Sequence, residues 1–405
     1  MRRVVVTGMG IWSCIGQDLQ SVTENLRLGR SGIIRNPERE SIGFQCLLHG
    51  NLPEPDLSPF VPRKFRKRMS QDAQYAYMAV KEAFAGACIS ENYLSQNEVG
   101  IIFGNDCNTS VVESAQLLAD ERDTSMLGPY ALFKNSTSSV TMNLSSLFQL
   151  RGISLSVASA CASSSHAIGL GMILIKDGLQ DMIVVGGSCE VTTYQNAPID
   201  ALNACSLRND NPLSASRPFD QEADGMVPSG GAAALVLEEY EHAKARGANI
   251  LAEICGYGFS SNGQESVSLS SSDAEYIAMK RAIENAGIQP SDIDYVNAHG
   301  TSTRYGDKEE AIALTRLLGN HKPWISSTKS ITGHENWMAG ASEAVYSILM
   351  MQNGFVAPNI NLANVIDDAK DLKIVRKTVT TPIHTILSSS FGMGGTNSAI
   401  ILKKI

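Results

Sequence analysis

The chain has 405 residues, 43% hydrophobic and 18% charged, which is enough apolar material for a large core and excludes a disordered or fibrous chain. A net charge of −8 argues against nucleic acid as a partner, and no apolar run is long enough to span a bilayer. The eight cysteines (Cys14, Cys46, Cys88, Cys107, Cys161, Cys189, Cys205 and Cys255) lack paired spacing, which argues against a zinc site and fits reduced thiols in the cytoplasm.

The opening "RRVVVTGMG" places two arginines before apolar residues, as a signal peptide does. Its β-branched run ends in a Gly turn with no convincing cleavage site, so it is predicted to be a strand. A basic run, "PRKFRKRMS", follows in an otherwise acidic chain and carries Arg63, Lys64, Arg66 and Lys67. "QDAQYAYMAVKEAFAGA" and, later, "DAEYIAMKRAIENAG" have helical periodicity. Between and after them, "VGIIFG", "ISLSVASA", "DMIVVGG", "AALVLEE", "DYVNAHG", "TILSSSFG" and "SAIILKK" read as strands buried on both faces. The class is α/β, with helices covering the sheet. No linker-like stretch divides the chain, so one compact unit is expected, in two halves, 1–245 and 246–405. A weak echo supports two halves: "VGIIFG" then "SLSVASACASSS" resembles "DYVNAHG" then "TILSSSFGMGGTN".

Within "SVASACASSSHAIGLGMILIK", Cys161 falls between a strand and a helix start, where unpaired N–H groups favour a thiolate and can hold an oxyanion. Small neighbours leave the sulfur accessible. A lone cysteine is more often a small core residue, and the other seven are read that way. Two histidines have matching contexts: His299 in "NAHGTSTRYGDKEEA" and His334 in "SSTKSITGHENWMAGASEA", with Lys329 just upstream. The spacing from Cys161 to His299 also suits a papain-type protease, but the nucleophile segment and the trailing Asn of that class are missing. His49, His166, His242, His321 and His384 are assigned structural or surface roles. No dinucleotide-binding glycine motif and no metal-ligand cluster is present.

Taken together, "SVASACASSSHA", "NAHGTSTRYGDKEE", "TKSITGHENWMAGASEAVYSILMM", "APNINL" and "SSSFGMGGTNSAIIL" resemble the condensing β-ketoacyl-[acyl-carrier-protein] synthases of fatty-acid and polyketide synthesis, over essentially the whole chain. The resemblance implies a thiolase fold, a duplicated α-β-α-β-α five-layer sandwich, and a dimer of the chain with itself or a paralogue. It implies that Cys161 carries an acyl group, that His299 and His334 stabilise the enolate left when a malonyl group loses CO2, and that N–H groups of Cys161 and Phe391 hold the tetrahedral oxyanion. Phe391 would also gate the malonyl pocket.

By the same resemblance Lys329 sets the electrostatics, with Glu309 as its counter-charge. Glu343 is a more structural carboxylate, Thr301 and Thr303 bind the pantetheine arm, and Asn397 orders a loop. The four basic residues become a docking patch for an acidic carrier protein. Pantetheine arrives on that carrier, so no bound cofactor and no metal is expected. "FGNDCNTS" and "GHENWMAGA" depart from the housekeeping pattern and place Asp106, Cys107 and Trp337, with Glu335 and Asn336, near the acyl pocket. Three readings follow: a fatty-acid elongating synthase, a specialised polyketide or aryl-polyene ketosynthase, and a non-catalytic chain-length partner, which the cysteine disfavours.

Overall fold

Continuous apolar runs must be covered on both faces, and the structure satisfies this with ten strands in one sheet. In the computed structural model, which describes residues 2–405, these are β1 (Val4–Ser13), β2 (Gly100–Gly104), β3 (Ser154–Val157), β4 (Met182–Cys189), β5 (Gly231–Glu239), β6 (Ala252–Ser261), β7 (Tyr295–Asn297), β8 (Trp324–Ser326), β9 (Thr385–Gly392) and β10 (Thr396–Lys403). All eight strands expected from sequence form. The two not anticipated are β6, whose "AEICGYGFSS" is broken by glycines, and the three-residue β8.

Strand order is β3-β2-β4-β5-β1-β6-β10-β9-β7-β8. Counted from β1 and from β6, the two halves have the same order. Each has parallel pairs at its outer end and antiparallel pairs at its inner end, and the halves join through the β1–β6 pair. This topology is the duplication, but it corrects the sequence echo. β2 does correspond to β7. The strand before Cys161, β3, corresponds to β8, and "TILSSSFG" in β9 corresponds to β4. Similar small-residue turns had suggested a match between segments that occupy different places in the repeat.

Helices α1 (Gln71–Gly86), α2 (Ser110–Glu121), α3 (Ser139–Phe148), α4 (Ser163–Lys176), α5 (Ser272–Ala286), α6 (Arg304–Leu318) and α7 (Ala339–Asn353) complete the layers. α1 and α3 cover the outer face of the N-terminal half, and α5 and α6 that of the other. α4 and α7 pack on each other between the halves, giving the α-β-α-β-α arrangement, with one apolar core in the centre and one under each outer layer. α7 is buried from Ala339 to Met351, as a helix with apolar or small residues all round must be.

The two central helices meet where both are smallest. A Cβ on Gly340 would lie 2.6 Å from the Ser165 Cβ, and the Ala341 N–H donates to Ser164 Oγ at 3.0 Å. This contact brings the start of α4 against the start of α7. Gly340→Val is therefore expected to cost about 1–3 kcal/mol through overpacking, visible as a lower midpoint in denaturant unfolding.

Candidate active site

Cys161 reaches the site through a strained elbow. After β3 the chain passes Ala160 at φ +45° and makes one 3-10 turn, Ala160–Ala162, into α4. Left-handed backbone at a residue with a Cβ costs on the order of 1–2 kcal/mol, and three hydrogen bonds hold it. Asp106 Oδ2 accepts the Ala160 N–H at 3.2 Å, Ser163 Oγ accepts the Ser159 N–H at 2.8 Å, and the Ser163 hydroxyl donates to Ala160 O at 2.7 Å. Asp106 therefore braces the elbow and does not line the cavity in front of the sulfur; Cys107 is exposed and does not line it either.

His334 lies between β8 and α7, the place in the second half that Cys161 occupies in the first. Its Nε2 is 3.0 Å from Cys161 Sγ, and its Nδ1 accepts the main-chain N–H of Asn336 at 3.2 Å. A main-chain N–H only donates, so the neutral ring keeps its proton on Nε2, facing the sulfur. Asn336 sits at φ +48°, with its side-chain amide donating to Ser229 O at 3.2 Å. His299, after β7, has Nδ1 3.3 Å from Lys329 Nζ, and an ammonium has no lone pair to accept with. Its proton is likewise on Nε2. The two imidazoles are edge to face, with centroids 5.4 Å apart. Burial, then the Lys329 charge, holds both well below the usual histidine pKa; for His299 the neighbouring His334 adds to this. Both are neutral at pH 7.

Lys329 is buried and forms its ion pair with Glu343. This corrects the assignment of Glu309, which is half-buried on α6 and accepts the Ser272 N–H at 3.0 Å. Adjacent residues on a helix diverge by about 100°, so it is Glu310 that turns into the core. Glu310 accepts the N–H groups of His299 at 2.7 Å and Gly300 at 2.6 Å, and the Ser389 hydroxyl at 3.0 Å. It fixes the strand end that presents His299. Its signal in the sequence, one of two successive glutamates, was ambiguous without the helix phase.

The second correction concerns Phe391. It is held in the ladder opposite Asn397, its ring buried 5.8 Å from that of His299. The turn that follows brings the Met393 N–H to the Cys161 sulfur, where it and the Cys161 N–H lower a pKa that burial pushes up to about 11; Lys329 acts in the same lowering direction. Met393 is 44% exposed and lines the cavity, as the buried Phe391 also does. Asn397 meets expectation, donating to Ser260 Oγ at 3.3 Å and Asn262 Oδ1 at 2.8 Å and so fixing the turn to the end of β6.

A cavity of about 430 Å³ opens onto Cys161, His299, His334 and Asn336, with Thr301 and Thr303 in its wall and their hydroxyls 2.8 Å apart. Trp337 is not part of it. It packs in the central core, while Glu335, raised to about 7 by burial, accepts from Ser342, Tyr346 and Ser13 behind His334. The departures next to His334 are therefore mostly core. The basic residues lie on and just after a short exposed helix, Arg63–Arg66, and among the described residues none of Arg63, Lys64, Arg66 and Lys67 is ion-paired. Of the other histidines, His166 bonds Tyr257 and Thr396, His242 bonds Glu238, and His321 bonds Ile293 O, as structural residues do.

Ligand atoms of Cys161, His299 and His334 lie within 4.8 Å of one another, a soft donor set that could close on a thiophilic divalent ion. With two Nε2 protons converging on the space beside a nucleophile, the arrangement suits an oxygen that becomes negative. With its pKa near 11 the thiol is protonated at pH 7, and the thiolate fraction grows with pH. Alkylation of Cys161 by iodoacetamide should accelerate about tenfold per pH unit between pH 7 and 9, and rate profiles read by intact mass would show no plateau in that range.

The chain resembles known proteins along its whole length. Residues 1–243 match the family described as "Beta-ketoacyl synthase, N-terminal domain" and residues 251–363 its C-terminal domain. The chain is 39% identical to the 3-oxoacyl-[acyl-carrier-protein] synthase 1 of Escherichia coli strain K12, with all of both chains covered. A solved beta-ketoacyl synthase from Burkholderia phymatum STM815 superposes with a TM-score of 0.96 at 34% identity, again with full coverage of both. A type II polyketide ketosynthase solved with its acyl-carrier protein and a bound hexaketide superposes at 0.90 with 27% identity, over 100% of each chain. From its duplicated topology to the residues that converge on Cys161, this chain belongs to the beta-ketoacyl synthase family.

Proposed function

We propose that the protein is a 3-oxoacyl-[acyl-carrier-protein] synthase that extends an acyl chain by two carbons. The observation that carries this is the single sulfur facing a neutral Nε2–H at 3.0 Å, with a second neutral imidazole beside it and a buried lysine behind. In the first half-reaction Cys161 Sγ, having lost its proton, attacks the carbonyl of an acyl thioester. The oxyanion sits against the N–H groups of Cys161 and Met393, and collapse expels the carrier thiolate, which takes up the proton. In the second, the C–C bond to the carboxylate of a malonyl thioester breaks and CO2 leaves with no electrons from that bond. The pair moves into an enolate whose oxygen lies against the Nε2–H groups of His299 and His334. The enolate carbon then bonds to the acyl carbon and the Cys161 thiolate departs.

Neutral imidazoles suit this step: they donate to the enolate oxygen without a full cation that would hold the malonyl carboxylate in place. Each such donor is worth roughly 10²–10³ in rate.

The carrier protein as partner is supported by the names of the relatives and by the unpaired basic residues Arg63, Lys64, Arg66 and Lys67. The arm brought by that carrier is the only prosthetic group the reaction needs. A dimer is supported by β3, the outermost strand of the first half, whose Ser154 and Leu155 are exposed and whose free edge can pair with a second copy. Eight free thiols fit the cytoplasm, and no described helix is long and apolar enough to cross a membrane.

A second reading, a specialised polyketide synthase whose acyl chain carries polar oxygens, is favoured by one observation. Asn105 Oδ1 and Asn108 Nδ2 just after β2, Ser188 Oγ in β4, and Gln195 Oε1 and Asn196 Oδ1 just after β4 are buried without hydrogen-bond partners among the described residues, a concentration of idle polar groups.

The test is acylation by carrier proteins loaded with saturated chains and with oxygen-bearing polyketide chains, read by intact mass. Mass gain at Cys161 from saturated chains supports the first reading, and gain from polyketide chains alone supports the second. Cys161→Ala should abolish loading. His299→Ala and His334→Ala should each slow malonyl decarboxylation by about 10²-fold or more while Cys161 still loads.

A further inference from the structure

Four carboxylates cluster at one side of the cavity, and three have evident tasks. Asp307 accepts the N–H groups of Phe219, Thr301 and Ser302. Glu309 accepts that of Ser272, and Glu310 those of His299 and Gly300. The fourth, Glu275 on α5, has no task in the protein. Its side chain is 1% exposed, it lines the cavity, and its Oε2 is buried with no hydrogen-bond partner among the described residues. Burying a carboxyl without a partner costs stability, so the group calls for a ligand. Thr301 and Thr303 lie in the same wall.

We infer that Glu275 is a positioning residue for the incoming arm: its carboxyl hydrogen-bonds an amide of the pantetheine chain that carries acyl and malonyl groups to Cys161. The inference rests on the carrier-dependent function proposed above. Burial, reinforced by Glu310, Glu309 and Asp307, holds Glu275 well above the usual carboxylate pKa. That shift favours the neutral acid, whose O–H donates to an amide carbonyl of the arm, which the threonine hydroxyls flank. A neutral acid is also the form compatible with three neighbouring carboxylates. An ionised one would add a further negative charge with no partner among the described residues.

The test compares Glu275→Leu and Glu275→Gln with the unaltered enzyme, using acyl-pantetheine and, as a reagent without the arm's amides, an acyl thiophenyl ester. Glutamine keeps an N–H donor; leucine keeps only bulk. The expected result is that Glu275→Leu raises KM for acyl-pantetheine about 5- to 20-fold with little change in kcat. Its acylation by the thiophenyl ester should stay within twofold of the unaltered rate, and Glu275→Gln should stay within threefold on both substrates. Glu275→Leu should also unfold at a higher temperature, since it removes an unsatisfied buried group; a residue that merely supports the fold would lower it. Unchanged KM in Glu275→Leu, an equal loss with the armless ester, a lower unfolding temperature, or failure of Glu275→Gln to rescue would each overturn the inference. Failure of the unaltered enzyme to accept acyl-pantetheine at all, while the thiophenyl ester still acylates Cys161, would instead overturn the carrier-dependent function.

Discussion

The site depends on one steric allowance, the approach of α4 and α7 at Ser164, Ser165, Gly340 and Ala341. Cys161 precedes one helix and His334 the other, so the separation of the helix starts sets the separation of sulfur and imidazole. Side chains larger than serine at this crossing would push the helices toward the 8–10 Å usual for packed pairs, and the 3.0 Å contact at the sulfur would be lost. The run of small residues after Cys161 and the "AGASEA" run after His334 are two sides of that one contact. Each helix needs the other's small residues as much as its own.

Lys329 applies a second constraint. Its charge lies behind both histidines, pairs with Glu343 and donates toward His299 Nδ1. Through the first histidine it fixes a tautomer, and through both it suppresses protonation. Asn336 does for His334 by main-chain geometry what Lys329 does for His299 by charge. Two different devices therefore deliver the same product, a neutral ring with its N–H aimed inward. Burying the ammonium is tolerable because the Glu343 carboxylate travels with it into the core.

Most of the fold was legible because buried strands advertise themselves. "VVVTG", "GIIFG" and "MIVVGG" leave no room for another reading, and the helix periods of α1 and α5 were equally plain. β6 and β8 escaped because glycines or shortness removed the pattern. At the site, the motif around Cys161, His299, Lys329 and His334 was readable from residue type and from family likeness. What failed was phase. Choosing Phe391 over Met393 is an error of two residues that only the end of the β9–β10 ladder decides. Matching Glu309 to Lys329 ignores the turn of α6, which carries it away from the lysine, and the lysine pairs with Glu343 instead. Trp337 misled for another reason: a neighbour in sequence to a catalytic histidine can point through a 3-10 turn into the core. The role of Asn336 as an N–H donor carries no sequence signal, since any residue except proline has that N–H.

The interleaved strand order also bears on how the chain is made. β10 lies between β6 and β9 although it is synthesised after both, so the second half has no continuous sheet until residues 396–403 have been made. The first half can assemble β1 to β5 earlier, yet part of the cover of its inner face is α7, which begins at Ala339, 100 positions after β5 ends at Glu239. During translation an apolar face and the free edge of β1 must therefore wait, exposed, for sequence that does not yet exist. The same helix contact that makes the active site compact thus leaves the nascent chain prone to aggregation, because neither half can bury its own interior alone.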